Sequence, residues 1–117
     1  MKNLLLAMTL SSFPYICFSQ VQASVIDLMV DGPSYNGKTV IVKCSRIFTV
    51  SNITVHCEWE DGKKTARADQ ASMDKSSLRL ALTNCGYTNT TCKGTMTGVF
   101  VYDQINPLIT KARLNLN

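Results

Sequence analysis

The sequence predicts a mainly β, single-domain protein: five strands folded as a partly open Greek-key barrel, with one helix between the third and fourth strands. Three observations carry that reading. Runs of β-branched residues alternate apolar with polar and are bounded by turn dipeptides. A single window changes its apolar spacing from two to three and four. Four of the five cysteines fall in those elements or in the loops beside them.

The first residues, "MKNLLLAMTLSSFPYICFSQVQAS", set the compartment. Lys2 gives a positive start, and Leu4 to Ile16 is a mostly apolar run too short to span a bilayer. Val21-Gln22-Ala23 then supplies small residues at the spacing of a signal-peptide cleavage site. The expected division is a signal peptide over 1–23 and one domain over 24–117, with a cut after Ser19 as the alternative. Cys17 lies inside the apolar run and not behind a lipobox-like pattern, which argues against lipid anchoring. The whole chain has 12 Lys and Arg against 8 Asp and Glu, a formal charge of +4, and the leader removes only Lys2 from that surplus. A mildly basic domain permits an acidic ligand and demands none. The expected location is the periplasm or the exterior of the cell.

Loss of the leader leaves Cys44, Cys57, Cys85 and Cys92, an even count that in a short exported chain implies a disulfide framework. Four cysteines allow three connectivities. The strand reading favours one of them. "KTVIVKCSRIF" and "NITVHCEWE" form an expected antiparallel hairpin about Thr49 to Ser51. Placing Cys44 opposite Cys57 also sets Val42 against Trp59, Arg46 against Val55 and Phe48 against Ile53 as the inward set. Lys43 then faces Glu58, and Ser45 faces His56, on the wet side. Directly opposed Cβ atoms lie within disulfide reach.

The remaining elements follow in order. "VIDLMVDGPSYNG" reads as a short apolar run breaking into turn chemistry at Asp31-Gly32-Pro33 and Asn36-Gly37. "EDGKKT" is a turn, and "TARADQA" is the third strand. Asp74 is a good N-cap, and Leu78, Ala81 and Leu82 lie at i, i+3 and i+4, which predicts a helix from Lys75 to Asn84. "CKGTMTGVFVYD" is the fourth strand, with Gly94 and Gly98 marking bends or a bulge. After a turn at Asn106-Pro107, "LITKARLNLN" alternates Ala112, Leu114 and Leu116 inward with Lys111, Arg113 and Asn115 outward. Three strands, a helix and two strands is the layout of an OB-fold.

The segments "YNGKTVIVKC", "ADQASMDKSSLRLALTNC" and "TCKGTMTG…ITKARL" also resemble small exported bacterial OB-fold proteins over most of 27–114. Cys44 stands where that pattern usually has glycine, which supports an extra bridge in the hairpin. The resemblance implies a fold and an exported location, and no reaction. The broader superfamily includes nucleic-acid binders and glycan-binding B subunits of bacterial toxins, so function must be argued from the site.

No enzyme is expected. Twelve residues separate Cys44 from Cys57 and six separate Cys85 from Cys92, wider than the close pairs of structural zinc sites or the C-x-x-C of redox centres. Neither a metal nor another cofactor is therefore expected. His56 is the single histidine, and the expected register gives it no carboxylate to orient it. Asp69 and Asp74 straddle the helix start, where capping accounts for one of them. Glu58, Glu60 and Asp61 are expected to pair with Lys43, Lys63 and Lys64. Asn52-Ile53-Thr54 and Asn89-Thr90-Thr91 match the N-glycosylation sequon, a pattern that arises often by chance.

A binding function remains. OB-folds hold ligands on strands two and three and in the one–two and four–five loops. In this chain those regions contain His56, Glu58, Glu60, Lys63, Lys64, Arg67, Tyr102, Asp103, Gln104 and Asn106. Nucleic acid would need aromatic platforms in a basic groove, and only Tyr102 offers one. The expected partner is another protein. A glycan, bound by a toxin-type oligomeric subunit, is the alternative, and so is an exported enzyme held by an inhibitor or immunity protein.

Overall fold

The structure is a computed structural model that describes residues 20–50, 54–59, 64–88, 91–103 and 107–117. It is mainly β. Strand β1 (Val21–Ala23) is followed by two short helices, α1 (Val25–Val30) and α2 (Gly32–Tyr35). Strands β2 (Thr39–Cys44), β3 (Arg46–Val50), β4 (Thr54–Glu58) and β5 (Thr65–Ala68) come next. A 3-10 turn (Gln70–Ser72) leads into helix α3 (Lys75–Asn84), and β6 (Gly94–Val101) and β7 (Leu108–Leu116) complete the chain. The strands hydrogen-bond in the linear order β1-β2-β6-β7-β5-β4-β3. Among the described residues no helix is long and apolar enough to cross a membrane.

Helix α3 has the bounds its spacing predicts. Asp74 caps it by accepting from the Ser77 amide at 3.1 Å and the Ser76 hydroxyl at 2.6 Å. Its inner face differs from the expected one: Ser77 and Ala81 are the buried pair, while Leu82 is exposed. Small residues let the helix approach β7 closely enough for the Ser77 hydroxyl to accept from the Leu114 amide at 2.9 Å. The Ser72 hydroxyl takes the Lys111 amide at 2.8 Å in the same way.

Two elements depart from expectation at the N-terminal side. Val21–Ala23, assigned by sequence to the end of the leader, pair in parallel with Val40–Val42 as β1. The stretch "VIDLMV" is helical, started by a capping box in which the Ser24 hydroxyl accepts from the Asp27 amide and the Asp27 carboxylate accepts from the Ser24 amide. Val25 and Leu28, three apart, bury its inner face.

The hairpin forms, but in another register. Arg46 faces Glu58, Ile47 faces Cys57, Phe48 faces His56 and Thr49 faces Val55. The expected first strand is in fact two. Its first half, β2, pairs with β6 and sets Lys43 against Thr95 instead of Glu58. The break falls at Ser45, whose amide and hydroxyl both donate to the Glu58 carbonyl, at 3.0 and 2.9 Å. One unpaired residue there reverses the faces, as a bulge does. Val40, Val42 and Cys44 are buried before it, and Ile47, Phe48 and Thr49 after it, Phe48 against His56 on the face away from the core.

The core within the curled sheet is built from Val40, Val42, Ile47, Val55, Cys57, Met96, Phe100 and Ile109, none more than 1% exposed, with Ala66 and Ala112. A bulge lies where glycine predicts one. Lys111 and Ala112 of β7 share the position opposite Gly98, between the pairs Thr97–Arg113 and Val99–Thr110. Lys111 takes a left-handed φ of 53°. A Cβ on Gly98 would sit 2.5 Å from the Thr110 carbonyl oxygen, so only glycine fits there.

Two disulfides close the fold, Cys44–Cys57 and Cys85–Cys92, with Cα separations of 5.1 and 5.7 Å. The second has a role beyond loop closure. The Ile47 amide donates to the Cys92 carbonyl and the Thr49 amide to the Cys85 carbonyl, each at 2.8 Å, so the bridged loop occupies the outer edge of β3. A Cys85→Ser/Cys92→Ser variant is expected to lose about 2–3 kcal/mol on the loop-entropy estimate, measured by urea unfolding. Amide exchange should accelerate at Ile47 and Thr49 while Met96 and Phe100 stay protected.

Candidate functional site

The outer face of β3, β4 and β5 carries a cluster of cationic and aromatic side chains, Arg46, Phe48, His56 and Arg67, completed by Tyr87. It starts from the reversal at Ser45. Phe48, expected inward, lies on the opposite face from the core yet is buried there, 7% exposed, beside its cross-strand partner His56, with ring centroids 5.2 Å apart and planes 12° from parallel. Tyr87, carried by the Cys85–Cys92 loop, meets Phe48 edge-on at 5.7 Å. The Arg46 guanidinium lies over the Phe48 ring at 4.3 Å and the Tyr87 ring at 5.6 Å, a cation–π arrangement. It also donates to the Tyr87 carbonyl and pairs with Glu58 at 3.8 Å.

The row continues onto β5, where Arg67 faces His56 and donates to the Asp103 carboxylate at 2.9 Å. Of the residues selected by sequence, the structure brings together His56, Glu58, Arg67 and Asp103. Lys64 immediately precedes β5, and its carbonyl accepts the Trp59 amide at 2.7 Å. Tyr102 lies elsewhere. Its amide donates to Asn36 Oδ1 at 2.9 Å, and its ring occupies the space a Cβ on Gly32 would need. Glu60, Lys63, Gln104 and Asn106 lie outside the described residues, as do Asp61, Asn52 and Asn89 of the acidic cluster and the two sequons. Glu58 pairs with Arg46 and not with the expected lysine Lys43. Arg46, Phe48 and Tyr87 were missed. Arg46 in an otherwise apolar inward set, with Ile47 in the wet set, was the available signal.

His56 is half-buried. Its Nε2 lies 2.9 Å from the Thr54 hydroxyl, while Nδ1 is buried and has no hydrogen-bond partner among the described residues. Desolvation, and then the positive charge of Arg67, hold its pKa below the ordinary histidine value. The imidazole is therefore neutral at pH 7. A hydroxyl and an imidazole are the first two members of a nucleophile–base–orienter set, and the third would have to meet Nδ1. Among the described residues no three His, Cys, Asp or Glu side chains gather as metal ligands.

No protein-family model matches the chain, and no curated protein matches it in sequence.

The lowered His56 pKa has a defined consequence for stability. The unfolded chain binds a proton near pH 6.5, and the folded chain only at lower pH. Protonation on acidification therefore favours unfolding. The His56 contribution is complete above pH 6.5 and is lost as pH falls through that value toward the folded pKa. Urea unfolding of the wild type should weaken over that window more steeply than that of His56→Phe, which keeps the stack on Phe48 and cannot titrate.

Proposed function

We propose that the chain is an exported, non-catalytic binding module on an OB-type barrel, and that it grips a protein partner with Tyr87 and Arg46, which are seated on the buried Phe48. The observation that carries this reading is Tyr87. The residue is 63% exposed, yet its backbone is held by a disulfide loop and by the Arg46 hydrogen bond to its carbonyl, and its ring by the contacts with Phe48 and Arg46. Exposed tyrosine beside arginine is the composition of interface hot spots, and a ring fixed in advance costs little entropy to bury.

The barrel reading is supported by connectivity. Taken as one strand broken at Ser45, residues 39–50 pair with β6 through the first half and with β4 through the second. The pairings then run first, second, third, fifth, fourth and back to first. The exported location is supported by the two disulfides, which persist in oxidising compartments.

Of the two cleavage positions, the one after Ser19 fits better. A cut after Ala23 would remove the whole of β1 and the buried Ala23, and would turn the Ser24 amide of the capping box into a chain end. The intact mass of the secreted protein should correspond to a chain beginning at Gln20. A chain beginning at Ser24 would refute this choice.

Co-purification with quantitative mass spectrometry tests the binding face. A partner recovered by wild type and by Tyr87→Phe should fall at least about thirtyfold for Tyr87→Ala, the scale of a hot-spot residue. Equal recovery by the alanine variant would reject the face. A ring-shaped oligomer in light scattering would favour a toxin-type subunit instead.

A further inference from the structure

Helix α3 buries Ser77 and Ala81 and leaves Lys75, Arg79, Leu82 and Thr83 exposed. Two rows of side chains run side by side there, Lys75–Arg79–Thr83 and Leu78–Leu82, each at a spacing of four residues. These five residues line a surface groove of about 320 Å³. Leu78 is half-buried against the core, whereas Leu82 is 39% exposed.

We propose that this groove docks an amphipathic helix of a partner protein, one whose apolar stripe is flanked by carboxylates. Rows four residues apart are the ridges of a helix surface, and the space between two such ridges is where a ridge of a second helix packs. Leu78, Leu82 and the aliphatic stems of Lys75 and Arg79 supply the apolar contact, with the charged ends beside it. Positions 75 and 79 lie about 6 Å apart along the axis, so carboxylates four residues apart on a partner helix match them.

The charges commit the groove to an acidic occupant. No carboxylate lines it, and α3 contains no Asp or Glu. Like charges at i and i+4 disfavour a helix, and so does a cation in the first turn, where Lys75 stands. Among the described residues the ion pairs are those of Arg46 with Glu58 and Arg67 with Asp103, so neither Lys75 nor Arg79 has one. Asp74, one residue before the helix, accepts from the Ser76 hydroxyl and the Ser77 amide, and the charge of Arg113 acts on it. A second copy docked through its own α3 would set four cations against one another. The acidic helix of this chain, α1, has only six residues, and its Asp27 is taken by the capping box. Residues 1–19 contain no Asp or Glu. The groove offers no aromatic platform to nucleic acid, and two leucines on ten residues are too narrow an apolar face for a membrane surface. Tyr87 does not line the groove, and this proposal does not depend on the reading of that face.

The test uses a synthetic leucine–glutamate helical peptide and its counterpart with lysine in place of every glutamate, each titrated into isotope-labelled mature protein at low salt and followed by NMR. The glutamate peptide is expected to move the amide signals of Arg79, Leu82 and Thr83 at high-micromolar to low-millimolar concentration, and the lysine peptide to leave them in place. Lys75→Glu/Arg79→Glu, at exposed positions where the melting temperature should not change, is expected to weaken the first peptide by about tenfold or more and to bind the second. Tyr87→Ala should bind the glutamate peptide as wild type does, so this groove and the Tyr87 face fail separately. Three results would overturn the proposal: the glutamate peptide leaves the α3 amides unmoved, both peptides bind equally well, or the charge-reversed variant keeps the wild-type preference. Phosphatidylglycerol vesicles that move the same amides more than the peptide does, or self-association that the charge-reversed variant abolishes, would also overturn it and assign the groove to a lipid surface or to a second copy.

Discussion

The structure turns on the break at Ser45. A continuous strand over 39–50 would present one alternation throughout and pair with the same neighbours along its length. Interrupted at Ser45, it gives its first half to β6 and its second to β4. Both Ser45 donors are met by the Glu58 carbonyl, so the interruption leaves neither the amide nor the hydroxyl unpaired. The Cys44–Cys57 bridge fixes the same point covalently, joining the residue before the break to the penultimate residue of β4. It is thus more than a rung between opposed residues, since Cys57 faces Ile47 in the register.

The outer surface follows from that break. Reversal of faces turns Ile47 and Thr49 to the core and Arg46 and Phe48 to the other side, where β4 offers Glu58 and His56 as partners and Phe48 is buried beneath Arg46 and Tyr87. It also leaves β3 as the last strand of the sheet, with an open row of donors. The Cys85–Cys92 loop fills that row through its terminal carbonyls, and in doing so delivers Tyr87 onto Phe48 and Arg46. The loop protects the edge and carries the most exposed aromatic side chain of the cluster. Its disulfide connects these roles, because freeing one end would release the carbonyl that the strand needs and the ring together.

Local signals were legible in the sequence, and long-range ones were not. Asp74 with the Leu78–Ala81 spacing gave helix α3 to the residue, and Gly98 marked a bulge that the close approach of Thr110 requires. Each is decided within a few positions of the chain. The register of β3 is decided by a carbonyl thirteen residues away and by a loop closing from beyond the helix. Read as one run, the apolar alternation over 39–50 has Arg46 as its exception, and Arg46 is where the faces reverse. Helix α1 was missed for a related reason. Six residues are too few for periodicity to speak, and the capping box uses Asp27 where the usual pattern has glutamate or glutamine. Of the site, His56, Glu58, Arg67 and Asp103 were foreseen because β4 kept its parity, whereas Phe48 and Tyr87 depended on the break.

The two outer faces also differ in what their charges do. On β3–β5 each arginine has its carboxylate, Arg46 with Glu58 and Arg67 with Asp103, and the histidine between them is kept neutral by burial and by Arg67. Such a surface presents shape and aromatic area with little net charge to desolvate, which suits burial against another protein. Over β2, β6 and β7 the carboxylates serve helix starts: Asp27 and Asp74 cap α1 and α3, and the Ser76 and Ser77 hydrogen bonds, with the charge of Arg113, hold Asp74 ionised. The difference between the faces therefore lies in which carboxylates the fold uses for its own termini.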